Sequence, residues 1–188
     1  MTDPPDPAAE PLDWNLVVTA RERQQRTLRR RLARLVRLRP SGFRNVLIGR
    51  IDDLETFLTG LAELRERHVP VEDCVGKILP IEQTFHVDAA SFDAQLRSVA
   101  TPLLSRLAHQ RFHVRIERRG HKGIINSHAS EQALGEYLYS ELERRGECAG
   151  VDFGDPDVVV AVELLGDVGG IALITRALRQ RSPFIRID

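Results

Sequence analysis

The run Val158-Val-Val-Ala-Val-Glu-Leu-Leu165 is the most apolar stretch of the chain. It is rich in β-branched residues, shows no polar alternation and is framed by turn signals, Asp155-Pro156-Asp157 before it and Gly166-Asp167 after it. Such a run reads as a strand buried on both faces, and so as the central strand of a sheet. Ile171 to Thr175 predicts a neighbouring strand.

A second sheet element ends in a cluster of positive charge. Phe112, Val114 and Ile116 alternate with His113, Arg115 and Glu117, the period of a strand with one face in the core and one open. Arg118, Arg119, His121 and Lys122 follow, with Gly120 and Gly123 allowing a sharp turn. Asn126, Ser127 and Ser130 then offer side-chain oxygens where a helix must start. A strand, a basic loop and the N–H groups of a helix start suit an anion, most naturally a phosphate. The same residues also read as a solvated loop and a cap. Leu134, Leu138 and Leu142 give the helix its apolar stripe, with Gly135 beside it for close packing on a sheet, and Gly146 ends it.

The N-terminal half predicts a strand at Trp14–Thr19 and a helix over Arg21–Val36. A break or hairpin follows at Arg39–Gly42, and a buried strand at Asn45–Gly49. Asp52 or Asp53 caps a further helix that stops before Pro70, and Lys77–Val87 is extended, with Pro80 arguing for an edge or a bulge. This order is that of a ferredoxin-like α/β sandwich closing near residue 87. A helical segment split at Pro102 leads into the second half, and Phe184–Ile187 adds a last edge strand. The expected organisation is therefore α+β, with a disordered tail over 1–11, one domain over 12–87 and another over 88–188.

Formal net charge is zero over 188 residues, but the charge is unevenly placed. From Arg21 to Arg50 there are eleven arginines against Glu22 alone, while Glu131 to Asp167 holds ten acids against two arginines. Arg26 and Arg30, with the other arginines of that first stretch, read either as a second nucleic-acid patch or as a soluble outer face. Aromatic content of 5% disfavours a stacking platform for single strands. Cys74 and Cys148 show no paired spacing, no secretory signal or membrane-length run is present, and a reduced cytoplasmic protein is expected. His113, His121 and His128 fit no metal-ligand spacing, so neither a metal nor a cofactor is expected.

Arg115-Ile116-Glu117-Arg118-Arg119-Gly120, Ser130-Glu131, Leu134-Gly135 and Val151-Asp152-Phe153 leading into Pro156–Glu163 resemble a THUMP domain over residues 88 to 182. Asn45–Arg50 and Ile78–Ile81 resemble the ferredoxin-like domain that precedes it in stand-alone THUMP proteins. In eukaryotes, members of that group are tRNA-binding adaptors for cytidine acetylation. The resemblance implies recognition of tRNA, at its acceptor end, and a tRNA-modifying enzyme as partner. Related enzymes append a catalytic domain; no nucleotide-binding or deaminase signature occurs here, so no catalytic residue is expected. On this reading Arg118, Arg119 and Lys122 contact phosphates, with Arg115, His121, Asn126 and Ser127 lining the same groove. Two alternatives stand beside it: an interaction or oligomerisation module, and the RNA-binding subunit of a split enzyme.

Overall fold

A computed structural model describes residues 13–187; the tail expected over 1–11 lies outside the described residues. The N-terminal strands β1 (Leu16–Ala20), β2 (Arg39–Pro40), β3 (Val46–Gly49) and β4 (Val75–Pro80) form one sheet in the order β2-β3-β1-β4, every pair antiparallel. Helix α1 (Gln25–Leu32) lies between β1 and β2, and α2 (Leu54–Glu66) between β3 and β4. Helix α2 starts where Asp53 accepts the Thr56 N–H at 2.7 Å, satisfying a donor that the helix itself leaves free. Helix α1 is shorter than the periodicity of Arg21–Val36 suggests. It has no side-chain cap at Gln24, and by Arg39 the chain is extended against β3.

The second sheet holds β5 (Gln83–His86), β6 (Arg111–Arg119), β7 (Gly150–Val151), β8 (Val158–Leu165) and β9 (Val168–Thr175), in the order β5-β9-β8-β6-β7. β6 runs parallel to both β7 and β8, and the other pairs are antiparallel. β8 is central and buried at every position, as its apolar run requires. Helices α3 (Phe92–Ala100) and α4 (Leu104–Leu107) are separated by a single 3-10 turn at Pro102, and α5 (Ser127–Arg144) and α6 (Arg176–Arg181) complete the architecture.

The two faces of the second sheet have different coverings. Phe112, Val114, Ile116, Val160 and Val162 pack against α3, α4 and α5 through Leu96, Leu104, Leu134 and Leu138. The opposite face presents Val159, Ala161, Leu165 and Ile174, which share one continuous core with the first sheet, α1 and α2. Burying both faces of β8 removes its apolar surface from water twice over, the largest favourable contribution such a strand can make.

Two expectations need correcting. The extended run Lys77–Val87 is two strands in two sheets, β4 in the first and β5 in the second. Gly169 and Gly170 of β9 leave room for this segment: a Cβ at Gly169 would collide with the Phe85 ring, and one at Gly170 would fall 2.8 Å from Ile81. Phe184–Ile187, expected as an edge strand, is not a strand. It lies along β4 of the first sheet, with the Ile78 N–H donating to Phe184 O at 2.8 Å and the Arg186 guanidinium donating to Gly76 O. Among the described residues, no helix is long and apolar enough to cross a membrane.

Candidate nucleic-acid interface

Strand β6 hands its alternating side chains to two different environments, and this decides what each basic residue can do. Glu117 and Arg119 point toward the first sheet. There Glu117 pairs with the buried Lys77 of β4, and Arg119 pairs with both Glu117 and Glu163. Burial opposes ionisation of Glu117, but hydrogen bonding and charge from Lys77, then Arg119, outweigh it and hold the carboxyl below the usual range. Arg119, expected to reach phosphate, is thus committed to two carboxylates inside the molecule. Its position two residues after Glu117 on the same strand face dictates this.

The turn after β6 is held at several points. Gly120 has φ +100°, and a Cβ there would lie 3.0 Å from Gly166 Cα, so a side chain would be strained and crowded against backbone. The Arg118 guanidinium folds back to donate to Gly120 O. His121, at φ 48°, places Nε2 3.1 Å from Gly166 O and 3.0 Å from Asp167 Oδ1. Lys122 and Gly123 stand exposed at the tip. Asn126 caps α5, its Oδ1 accepting the Ala129 N–H at 3.2 Å, and Ser127 is the first helical residue. Arg115 is half-exposed on β6, 3.8 Å from Glu131 of α5.

Arg26 and Arg30 are exposed on α1 and, with Arg29 and Arg37, border a shallow basin of about 440 Å³. Within residues 21–50 the ion pairs among the described residues are Arg44–Glu22 and Arg50–Asp13, leaving the α1 arginines without a carboxylate. Many acids of the second half are neutralised where they stand: Asp152, Asp155 and Asp157 by Arg111 and Arg176, and Glu141 by Arg144. The zero net charge therefore conceals a cationic face on α1.

A hairpin between β2 and β3 touches both basic regions. Asn45 Oδ1 accepts from Gln25 of α1 at 3.3 Å, and the Phe43 ring lies against Gly120 and Gly166. The arrangement can bind polyanions by charge and shape. Among the described residues, no group of three His, Cys, Asp or Glu is placed to hold a metal ion.

Sequence reasoning missed Phe153, an exposed ring stacked on His113 beside a cleft at the β6 edge. Its signals were an aromatic residue inside the turn-forming segment Asp152–Asp155 and its place in Val151-Asp152-Phe153, which entered only as part of a resemblance and with no role of its own.

The sequence matches no protein-family model and no curated protein. Solved structures do match. PH1313 from Pyrococcus horikoshii Ot3 superposes with a TM-score of 0.54 at 14% identity, over 85% of this chain and 54% of that one. TrmN from Thermus thermophilus gives 0.56 at 19% identity, over 85% and 44%. A 4-thiouridine synthetase, crystallised with RNA and ATP, gives 0.52 at 14% identity, over 86% and 41%. The chain shares the fold of these structures over about 85% of its length. It spans about half of PH1313 and less than half of the other two. What the shared fold supplies here is the parallel β6–β8 pair with α5 across it, which fixes the basic turn at one end of the sheet.

Proposed function

We propose that this chain binds tRNA, with its acceptor end held by the β6–α5 turn and its body by α1. We further propose that it acts as a non-catalytic adaptor for a tRNA-modifying enzyme such as a cytidine acetyltransferase. The observation that carries the reading is the row of α1 arginines without carboxylate partners among the described residues, linked through the Phe43 hairpin to the turn that exposes Lys122. Guanidinium and ammonium groups left unneutralised are available to phosphates. The fold shared with a synthetase crystallised with RNA supports the same partner. The strand order β2-β3-β1-β4, with a helix after β1 and after β3, supports a ferredoxin-like unit ahead of a THUMP unit, with the division before β5, which belongs to the second sheet, and not at 87. The adaptor role rests on the resemblance of Asn45–Arg50 and Ile78–Ile81 to stand-alone proteins of that kind.

The test is tRNA binding across a salt series. Affinity falls as salt rises, and Arg26→Ala/Arg30→Ala and Lys122→Ala each lower the slope by roughly one unit per lost phosphate contact. A tRNA without its 3′ end binds more weakly. Absence of binding at low salt overturns the reading, and a modified nucleoside formed by the protein alone with an acyl or methyl donor overturns the adaptor role.

A further inference from the structure

Phe153 is the most exposed large apolar side chain among the described residues, at 77%. A ring left in water is unfavourable, yet this one is held in place. Asp152 Oδ1 accepts the N–H groups of Gly154 and Asp155 at 2.8 and 3.0 Å, and its Oδ2 accepts from Arg111 at 2.9 Å. One face of the ring stacks on His113, with centroids 5.6 Å apart and planes at 26°. His113 Nδ1 lies 3.0 Å from Asp152 O; a carbonyl only accepts, so Nδ1 carries the proton and the imidazole is fixed as well.

The cleft beside this stack has a volume of about 540 Å³. Its floor is the edge of β6, which pairs with β7 only at Arg111 and Phe112. Further along the same side, the Ile116 N–H is taken by Glu131 at 2.7 Å, while Val114 between them has no partner strand there. Its N–H and C=O are a donor and an acceptor side by side. Gly135 of α5 forms part of the wall, and a Cβ there would meet only Val114, at 3.9 Å. The close packing expected at Gly135 is therefore absent: alanine would fit and would favour the helix, and glycine leaves the cleft wider. No lysine or arginine lines the cleft, whereas Glu131 and Glu136 do.

This combination excludes a phosphate and suits a flat, neutral heterocycle. Carboxylate acceptors favour an edge that carries an amino group, as in cytosine or adenine, and disfavour the carbonyl that uracil or guanine presents at that position. We propose that the cleft holds one unpaired nucleobase of a bound RNA, a base with an exocyclic amino group, stacked on Phe153 and read by the β6 edge. The inference rests on the RNA-binding reading above and adds sequence preference to it. The occupant belongs to an RNA strand, whose phosphates the cationic turn can take up outside the acid-lined cleft.

The experiment is an NMR titration of the isotope-labelled chain with single-stranded pentanucleotides of C, A or U, with CMP, and with tRNA. Oligo-C and oligo-A shift the amides of Val114, Gly135 and Gly150–Gly154, and bind about tenfold more tightly than oligo-U. Phe153→Ala weakens oligo-C binding about tenfold, and Phe153→Tyr restores it. Equal affinity for all three sequences, or no shift at the cleft while tRNA still binds in a salt-dependent manner, overturns this inference and leaves the RNA-binding reading standing. CMP binding as tightly as oligo-C reassigns the cleft to a free nucleotide and overturns it. So does a β-forming peptide that shifts the Val114 amide when oligonucleotides do not. If neither the pentanucleotides nor tRNA binds, both readings fall.

Discussion

Arg119 neutralises Glu163 in the interior of the molecule, where the carboxylate side chain is 1% exposed and the guanidinium side chain 19%. Removing one partner of such a pair leaves an uncompensated buried charge, which costs about 3–5 kcal/mol. Arg119→Ala is expected to destabilise the fold by that amount in chemical denaturation. Arg119→Met/Glu163→Leu, which removes both charges, is expected to recover most of the loss.

Glu117 makes stability depend on acid. Its folded-state pKa is held below the ordinary value because Lys77 and Arg119 outweigh the effect of burial. A depressed carboxyl pKa contributes stability that is fully present above the unfolded-state pKa and is lost as pH falls through the folded one. Thermal unfolding followed from about pH 7 down to about pH 3 should show the wild type losing stability below roughly pH 4.5 more steeply than Glu117→Gln.

Lys122 and Asn126 lie in the same loop and should separate binding from stability. Lys122→Ala removes an exposed charge and is expected to leave unfolding within about 0.5 kcal/mol of wild type while weakening tRNA binding. Asn126→Ala removes the cap of α5 and should cost about 1 kcal/mol of stability, while the salt slope of binding stays unchanged. Denaturation and a salt series on both variants check the crossed outcome.

Gly120 is the turn position where a side chain would be both strained and crowded. With φ +100° and the Gly166 Cα only 3.0 Å from where a Cβ would stand, Gly120→Ala should destabilise by about 1–3 kcal/mol. It should also lower tRNA affinity without changing any charge, because the loop bearing Lys122 is displaced. Parallel unfolding and binding measurements decide it.

Local chemistry was legible where it acts locally. The unalternated run at Val158–Leu165 became the central strand, Pro102 divided the helical segment, and Asn126 sits at the α5 cap. The fate of Arg119 was not legible. Strand parity gives the face it shares with Glu117, but what covers that face is the first sheet, brought there by long-range packing. For the same reason Lys77–Val87 read as one element, since nothing within it says that its two ends belong to different sheets. Phe153 was hidden by an average: a low aromatic content says little about a single ring held by an Asp turn.

The contact between Arg186 and Gly76 joins positions 110 residues apart in sequence. During synthesis, β4 therefore emerges long before the segment that lies along it, and its edge donors and acceptors wait unpaired while the whole second sheet is made. At roughly 5–20 residues per second this is an interval of several seconds or more, in which that edge can pair with another nascent chain. Residues made more than a hundred positions after β4 are thus the ones that shield its edge.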